Sequence, residues 1–369
     1  MSAAEPGSST PSSATPGSST PSSATPGAST PGRVAVVGLG LIGGSLVRLL
    51  SARGVDVVAT DVSAGTRAAA RRERLTVADD VAGCVTGADL VVLAAPLRAM
   101  PSVAEQVARH APPDATVTDV GSVKGPVRAA AVAAGLGRRF VGAHPMAGTE
   151  HSGFDASDAE LLDGATWAVT VDAAVEPDRD RLATVLGLVT GPCAGRAVLL
   201  SDDVHDEAAA LVSHVPHVLA TQLLNAVAGA PVRDVALRLA AGSFRDGTRV
   251  AYTDPARTEA MVTENGAWVA PVLRKVVRDL ELVVAALESN GSVHGFFHDA
   301  DDVRGRGRPG PVDAGAAAGP VDAAPGTEGA TDVVPLTGDW PAVLLERCRA
   351  GDVVVGLDVA AGSARLTAR

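Results

Sequence analysis

The stretch that most constrains this chain is Arg33–Ser45, RVAVVGLGLIGGS. A short apolar run, Val34–Val37, leads directly into Gly38-x-Gly40-x-x-Gly43, and the sequence beyond reads as a helix. The first glycine permits a tight turn, the second admits a pyrophosphate against bare main chain, and the third lets helix pack on strand. The helix N-terminus, at Leu41 and Ile42, offers unpaired N–H groups and a positive dipole to the phosphates. A second apolar run, Val55–Thr60, ends in Asp61, 18 residues beyond Gly43. An acid at about that spacing holds the ribose hydroxyls and repels a 2′-phosphate, which favours NAD over NADP. Arg67, Arg71 and Arg72 stand close by in sequence and keep NADP open.

Further Val/Ala/Leu runs follow at Leu90–Ala94, Thr116–Val120, Phe140–Ala143 and Trp167–Val171, separated by polar helical stretches. Short buried strands alternating with helices predict an α/β, Rossmann-type, doubly wound parallel sheet. Beyond Asp178 the strand signals fade, apart from Ala197–Leu200. Helical periods then cover Asp206–Val227, Val232–Ala241, Pro255–Asn265 and Trp268–Leu287. The expected organisation is a dinucleotide-binding domain over 33–177 and an all-helical domain over 178–298. The decamer PGSSTPSSAT at 6–15 repeats unchanged at 16–25. With one charged residue and no large apolar side chain after Met1, 1–32 reads as a disordered tail. It lacks the basic and apolar regions of a signal peptide. Gly, Ala, Pro and Asp dominate 299–331, a linker, and 332–369 alternates enough for a small helix–strand unit without an assigned role.

Composition removes several classes of function. Lys and Arg number 31 against 42 Asp and Glu, a net charge of −11, and aromatics make up only 2%. Neither a basic footprint nor stacking platforms for nucleic acid are present. Cys84, Cys193 and Cys348 are too widely spaced for a disulfide framework or a zinc knuckle, and no metal is expected. The longest uncharged apolar run, between Arg33 and Arg48, is broken by glycines and falls short of the ~18 residues of a membrane span. A soluble, cytoplasmic protein is expected.

Chemistry in open α/β sheets sits beyond the carboxyl ends of the strands. Two polar clusters fall there: Gly121-Ser122-Val123-Lys124, and His144-Pro145-Met146-Ala147-Gly148-Thr149-Glu150. A histidine just past a buried strand, held by Pro and Gly, is placed to take a hydroxyl proton as hydride leaves the same carbon. Ser122 can bond the same hydroxyl or orient the imidazole. The helical part carries Ser213-His214-Val215-Pro216-His217 and Gly242-Ser243-Phe244-Arg245-Asp246-Gly247-Thr248-Arg249. Spacing alone leaves Arg245 and Arg249 open between a surface salt-bridge face and a guanidinium fork for a carboxylate.

Together, GLGLIGGS, DVGSVK, HPMAGTE, SHVPH and GSFRDGTR, in this order, resemble the prephenate/arogenate dehydrogenase family of tyrosine biosynthesis over roughly 33–290. The resemblance implies that the helical domain makes a homodimer. It also implies NAD-dependent oxidative decarboxylation of prephenate to 4-hydroxyphenylpyruvate, or of arogenate to tyrosine. His144 matches the family's base or acceptor for the ring hydroxyl, Ser122 its partner there, and Arg249 the arginine that binds a substrate carboxylate. His214, His217, Thr149 and Glu150 match residues lining the substrate pocket, and His205 and Asp206 resemble a further pair close to it. Some members carry an amino-acid-binding regulatory domain, for which the 38 residues of 332–369 are too few. A 3-hydroxy acid dehydrogenase would instead rely on a lysine such as Lys275 or Lys124, and a non-catalytic NAD-sensing module would need no His144, Ser122 and Arg249 together.

Overall fold

The computed structural model describes residues 31–172, 178–305 and 331–368. The N-terminal repeat and 306–330 of the expected linker lie outside the described residues. The first apolar runs become strands because they are buried on both faces, as only a sheet interior permits. Strand β1 (Arg33–Val37) pairs in parallel with β2 (Asp56–Thr60) and β3 (Leu90–Leu93), and β3 with β4 (Thr116–Asp119). Helices α1 (Leu41–Ala52), α2 (Ala64–Arg72), α3 (Val81–Val85) and α4 (Met100–His110) make the returns, and α5 (Gly125–Ala133) follows β4. The order β2-β1-β3-β4 reverses direction at β1, so a crevice opens beyond its carboxyl end.

A parallel bridge from Val117 to Phe140 sets the next strand beside β4. Here the sheet departs from the wholly parallel arrangement expected: β5 (Gly142–Pro145) runs antiparallel to β6 (Thr166–Val171). A parallel pairing needs a long crossover, usually a helix, and the link over 146–165 has only two short 3-10 turns, Phe154–Ala156 and Ala159–Leu161. His144 consequently lies inside β5, opposite Ala168, rather than one residue beyond the strand. Helix α6 (Arg179–Thr190) then returns the chain to β7 (Arg196–Ser201), parallel to β6.

From Asp202 to Arg304 the chain is helical: α7 (Asp202–Ala209), α8 (Val215–Ala228), α9 (Arg233–Leu239), α10 (Gly242–Thr248), α11 (Pro255–Glu264), α12 (Gly266–Glu288), α13 (His294–His298) and α14 (Asp301–Arg304). The single helix expected over Asp206–Val227 is interrupted by a π turn at Ala210–His214. Pro216 accounts for it: proline has no N–H for the carbonyl four residues back, and its ring crowds that carbonyl. Helix α14 also carries regular structure into the stretch expected as linker. Among the described residues no helix is long and apolar enough to cross a membrane.

The C-terminal piece is not a separate unit. It forms β8 (Thr331–Pro335), α15 (Trp340–Arg349), β9 (Val353–Asp358) and β10 (Ser363–Thr367), and β9 meets the edge of β7 at Ala197 and Val354. Trp340, Leu344, Cys348, Val354 and Leu366 share one apolar core with Leu46, Trp167 and Leu186. The piece thus covers a strand edge that would otherwise invite pairing with another chain. Leu344 is completely buried in that core. Leu344→Ala is expected to cost ~2–5 kcal/mol in urea unfolding followed through the sheet domain. An unchanged transition would mean that the C-terminal piece stands apart from that core.

Candidate active site

The glycine turn has the geometry that a dinucleotide requires. Gly38 takes φ +113, and a Cβ there would meet the Ala94 carbonyl oxygen at 2.5 Å; a Cβ on Gly43 would lie 2.0 Å from the Gly38 oxygen. At Gly40 a Cβ would meet nothing within 4 Å, so main chain there faces open space. Gly40 also caps α1 without any side-chain bond, leaving the first-turn N–H groups, at Leu41 and Ile42, open to an anion. Asp61, just past β2, accepts from the Leu39 N–H at 2.8 Å and the Ser63 N–H at 2.8 Å, which fixes it beside the turn. Two of the arginines that left NADP open have partners. Arg67 donates to the Asp61 and Val62 carbonyls, and Arg71 pairs with Asp79.

At the carboxyl end of β5, His144 begins a chain of hydrogen bonds. Its Nδ1 lies 2.9 Å from His205 Nε2, and His205 Nδ1 lies 2.7 Å from Asp206 Oδ1. A carboxylate only accepts, so His205 Nδ1 carries a proton and donates it to Asp206. In the neutral ring His205 Nε2 is then an acceptor, which places the His144 proton on Nδ1 and leaves a lone pair on His144 Nε2. Asp206 is itself held at the start of α5: the Lys124 N–H donates to it at 2.7 Å and the Gly125 N–H at 2.8 Å. Burial raises the Asp206 carboxyl, but the bonds from His205, Lys124 and Gly125 outweigh it and hold the group below its ordinary range. For His144, burial and then the charges of His205, Lys124 and His214 keep the imidazole well below its ordinary 6.5.

A second buried pair supports the same strand. Asp119, the last residue of β4, accepts from the Ala143 N–H at 3.1 Å and pairs with Lys124, whose Nζ also donates to the Ala143 carbonyl at 2.7 Å. Both side chains are fully buried. They clamp the residue before His144 to the end of the neighbouring strand. Lys124 is thereby committed to structure, while Lys275 lies on the exposed face of α12 paired with Asp279. Neither is placed as the lysine that a 3-hydroxy acid dehydrogenase would need. Ser122 lies in the turn between β4 and α5 that also contributes Lys124, and its side chain is half-buried.

The helical half completes the group. His214 is fully buried, and the Asn265 amide donates to its Nδ1 at 2.9 Å while also donating to the Asp206 carbonyl at 2.8 Å. The His214 proton therefore sits on Nε2, which is buried without a partner among the described residues. Burial pushes this imidazole down to about 4. His217 donates from Nδ1 to the Ser213 carbonyl at 2.8 Å. Burial, and the charges of Arg257 and Arg249, lower its imidazole despite that bond. Arg249 is exposed, opens a 3-10 turn packed on α8 and has no ion pair among the described residues. Arg245 lies on α10, which ends immediately before Arg249, and is exposed without an ion pair among the described residues. Thr149 and Glu150 stand in the loop after β5, half-buried; Arg257 donates to the Thr149 carbonyl at 2.9 Å.

Asp119, Arg257 and Asn265 are the residues that reading the sequence alone did not single out. Asp119 had a signal, since a carboxylate closing an otherwise apolar strand needs a buried partner. Arg257 and Asn265 had none, because their contacts join segments far apart in the chain.

Comparison with known proteins follows the same division of the chain. A profile described as prephenate dehydrogenase, nucleotide-binding domain, matches residues 46–198, and one described as prephenate dehydrogenase, dimerization domain, matches 201–298. Cyclohexadienyl dehydrogenase of Zymomonas mobilis is 36% identical over 282 residues, covering 74% of this chain and 94% of its own. The structure of Aquifex aeolicus prephenate dehydrogenase with hydroxyphenyl propionate and NAD+ superposes with a TM-score of 0.67 at 28% identity, covering 74% of this chain and 97% of that one. Synechocystis arogenate dehydrogenase gives 0.63 at 27% identity, over 74% and 99% of the two chains.

Breaking the clamp beneath His144 has a calculable consequence. Lys124→Met leaves the Asp119 carboxylate buried and unpaired, and is expected to cost about 3–5 kcal/mol in denaturant unfolding. A loss below about 1 kcal/mol would contradict a charged, buried pair at this position.

Proposed function

The chain belongs to the prephenate dehydrogenase family, and on that premise we propose that it oxidatively decarboxylates prephenate to 4-hydroxyphenylpyruvate with NAD as hydride acceptor. The observation that carries the reading is the Asp206–His205–His144 chain, at the carboxyl end of a sheet whose first turn is built for a dinucleotide.

The turn at Gly38, Gly40 and Gly43, the N–H groups of Leu41 and Ile42, and Asp61 would hold NAD, which when bound supplies the acceptor for the hydride. The protein's own part is to orient the ring and move one proton. His144 Nε2 takes the proton of the ring hydroxyl, and Ser122, in the turn beside it, bonds the same oxygen. As the imidazole gains a proton, His205 and Asp206 stabilise the charge through the hydrogen-bonded chain without a change of geometry. His214 Nε2–H, a buried donor without a partner among the described residues, bonds an acceptor on the substrate. Arg249 binds a carboxylate, while His217, Thr149 and Glu150 line the remaining wall. Once the ring carbinol has become a ketone, the bond to CO2 breaks, its electron pair passes to that oxygen as the ring becomes aromatic, and the proton on His144 returns to it, which drives the step forward.

The active unit is a homodimer formed by the helical half. Leu223, Leu239, Leu280, Leu282 and Leu287 lie 45% or more exposed on its helices, large apolar side chains that a second copy would cover. The match of 201–298 to a dimerization domain supports the same reading.

Reduction of NAD is expected with prephenate, followed through the absorbance of the reduced nicotinamide, and more slowly with NADP at equal concentration. No reduction of either cofactor would remove the proposed function. The acid limb of kcat/KM follows from the state of His144. The base must be neutral, and its folded value lies well below 6.5, so activity is lost only as pH falls through that lower value. An imidazole at its ordinary value would place this limb at about 6–7 instead. A limb centred at 6.5 or above would mean that His144 is not the group titrating.

A further inference from the structure

Arg257 is a cation without an ion pair among the described residues, held by two main-chain carbonyls. It lies in the first turn of α11, which Asp254 caps by accepting from the Ala256 N–H at 2.9 Å. Its guanidinium crosses to the loop after β5 and donates to the Thr149 carbonyl at 2.9 Å and the His151 carbonyl at 3.3 Å. Both acceptors are neutral, and among the described residues no carboxylate pairs with Arg257. Glu150, between the two acceptors, pairs instead with the ring of His151 at 3.9 Å. A guanidinium has five N–H donors in a planar fork, so most of this one remains free. The site it borders already holds His217 on α8 and Arg249 on the adjoining turn, and the charges of both arginines bear on His217. In a chain of net charge −11, two guanidinium groups without ion pairs among the described residues, Arg257 with only the nearby charge of Asp254, mark a receptor for two anionic groups.

We propose that Arg257 determines substrate specificity, by binding the planar 2-oxo-carboxylate end of the dianionic ring substrate while Arg249 takes the other carboxylate. The proposal rests on the function proposed above. A carboxylate and its adjacent keto oxygen present two acceptors in one plane, which the guanidinium fork matches. Arogenate carries an ammonium group where prephenate carries the keto oxygen. Beside Arg257 that ammonium loses an acceptor and meets a like charge, so Arg257 favours the dianion on both counts.

The test is steady-state kinetics of the full chain with prephenate and with arogenate, for wild type, Arg257→Ala and Arg257→Lys. Wild type is expected to prefer prephenate. Arg257→Ala is expected to raise the KM for prephenate about tenfold or more with kcat nearly unchanged, and the KM for arogenate much less, since loss of a bond is offset by relief of repulsion. Arg257→Lys, which keeps the charge but not the fork, should recover part of the prephenate affinity. Parallel rises for both substrates would reduce Arg257 to a pin for the Thr149–His151 loop and overturn the proposal. So would unchanged constants, or a wild-type preference for arogenate. Wild type inactive on both substrates would instead overturn the function on which the proposal rests.

Discussion

The structure depends on where it puts one carboxylate. Asp206 begins its chemistry in the helical half of the chain, yet its oxygens are held by the N–H groups of Lys124 and Gly125 at the start of α5, in the sheet half. A helix N-terminus carries positive dipole and orphan donors, so it favours a carboxylate kept charged. The same carboxylate fixes His205, and His205 fixes His144. Its backbone carbonyl takes the Asn265 amide, which in turn sets the proton on His214. Two halves of the molecule and three histidines are therefore registered by one side chain and its peptide group.

Such a network is expensive to bury and useful only when complete. Hydrogen bonds to charged groups contribute about 1.5–3 kcal/mol each, but an unpaired member costs as much or more. The sheet supplies the rigidity that keeps the network complete. Asp119 and Lys124 tie the ends of β4 and β5 together immediately before His144, and the C-terminal piece seals the apolar core behind β7. Neutral imidazoles are the result: burial disfavours their charged forms, leaving His144 a base and His214 a donor at neutral pH.

The sheet half was legible in the sequence because its signals are local. Four-residue runs such as Leu90–Leu93 are apolar throughout, and the glycine turn follows its strand directly. The direction of β5 was not legible, because pairing depends on the link over 146–165, whose 3-10 turns carry no periodic pattern. The break in α8's predecessor could have been read from Pro216, and the docking of 332–369 onto β7 could not, since Trp340 and Leu344 look alike in an independent unit or a shared core. In the site, His144 and Ser122 stood out by following apolar runs, although His144 lies inside its strand. The tautomer of His144 did not, because it is set by His205 from 61 residues away.

The central claim is that Asp206, through His205, keeps His144 neutral with its free lone pair on Nε2. Nitrogen-15 NMR of the histidine side chains at pH 7 tests it most directly, with His144 assigned by its loss in His144→Asn, and with Asp206→Asn for comparison. The account predicts a neutral His144 ring protonated on Nδ1 in the wild type, and a mixed or altered tautomer once the Asp206 carboxylate is gone. A charged His144, or a neutral one protonated on Nε2, would contradict it.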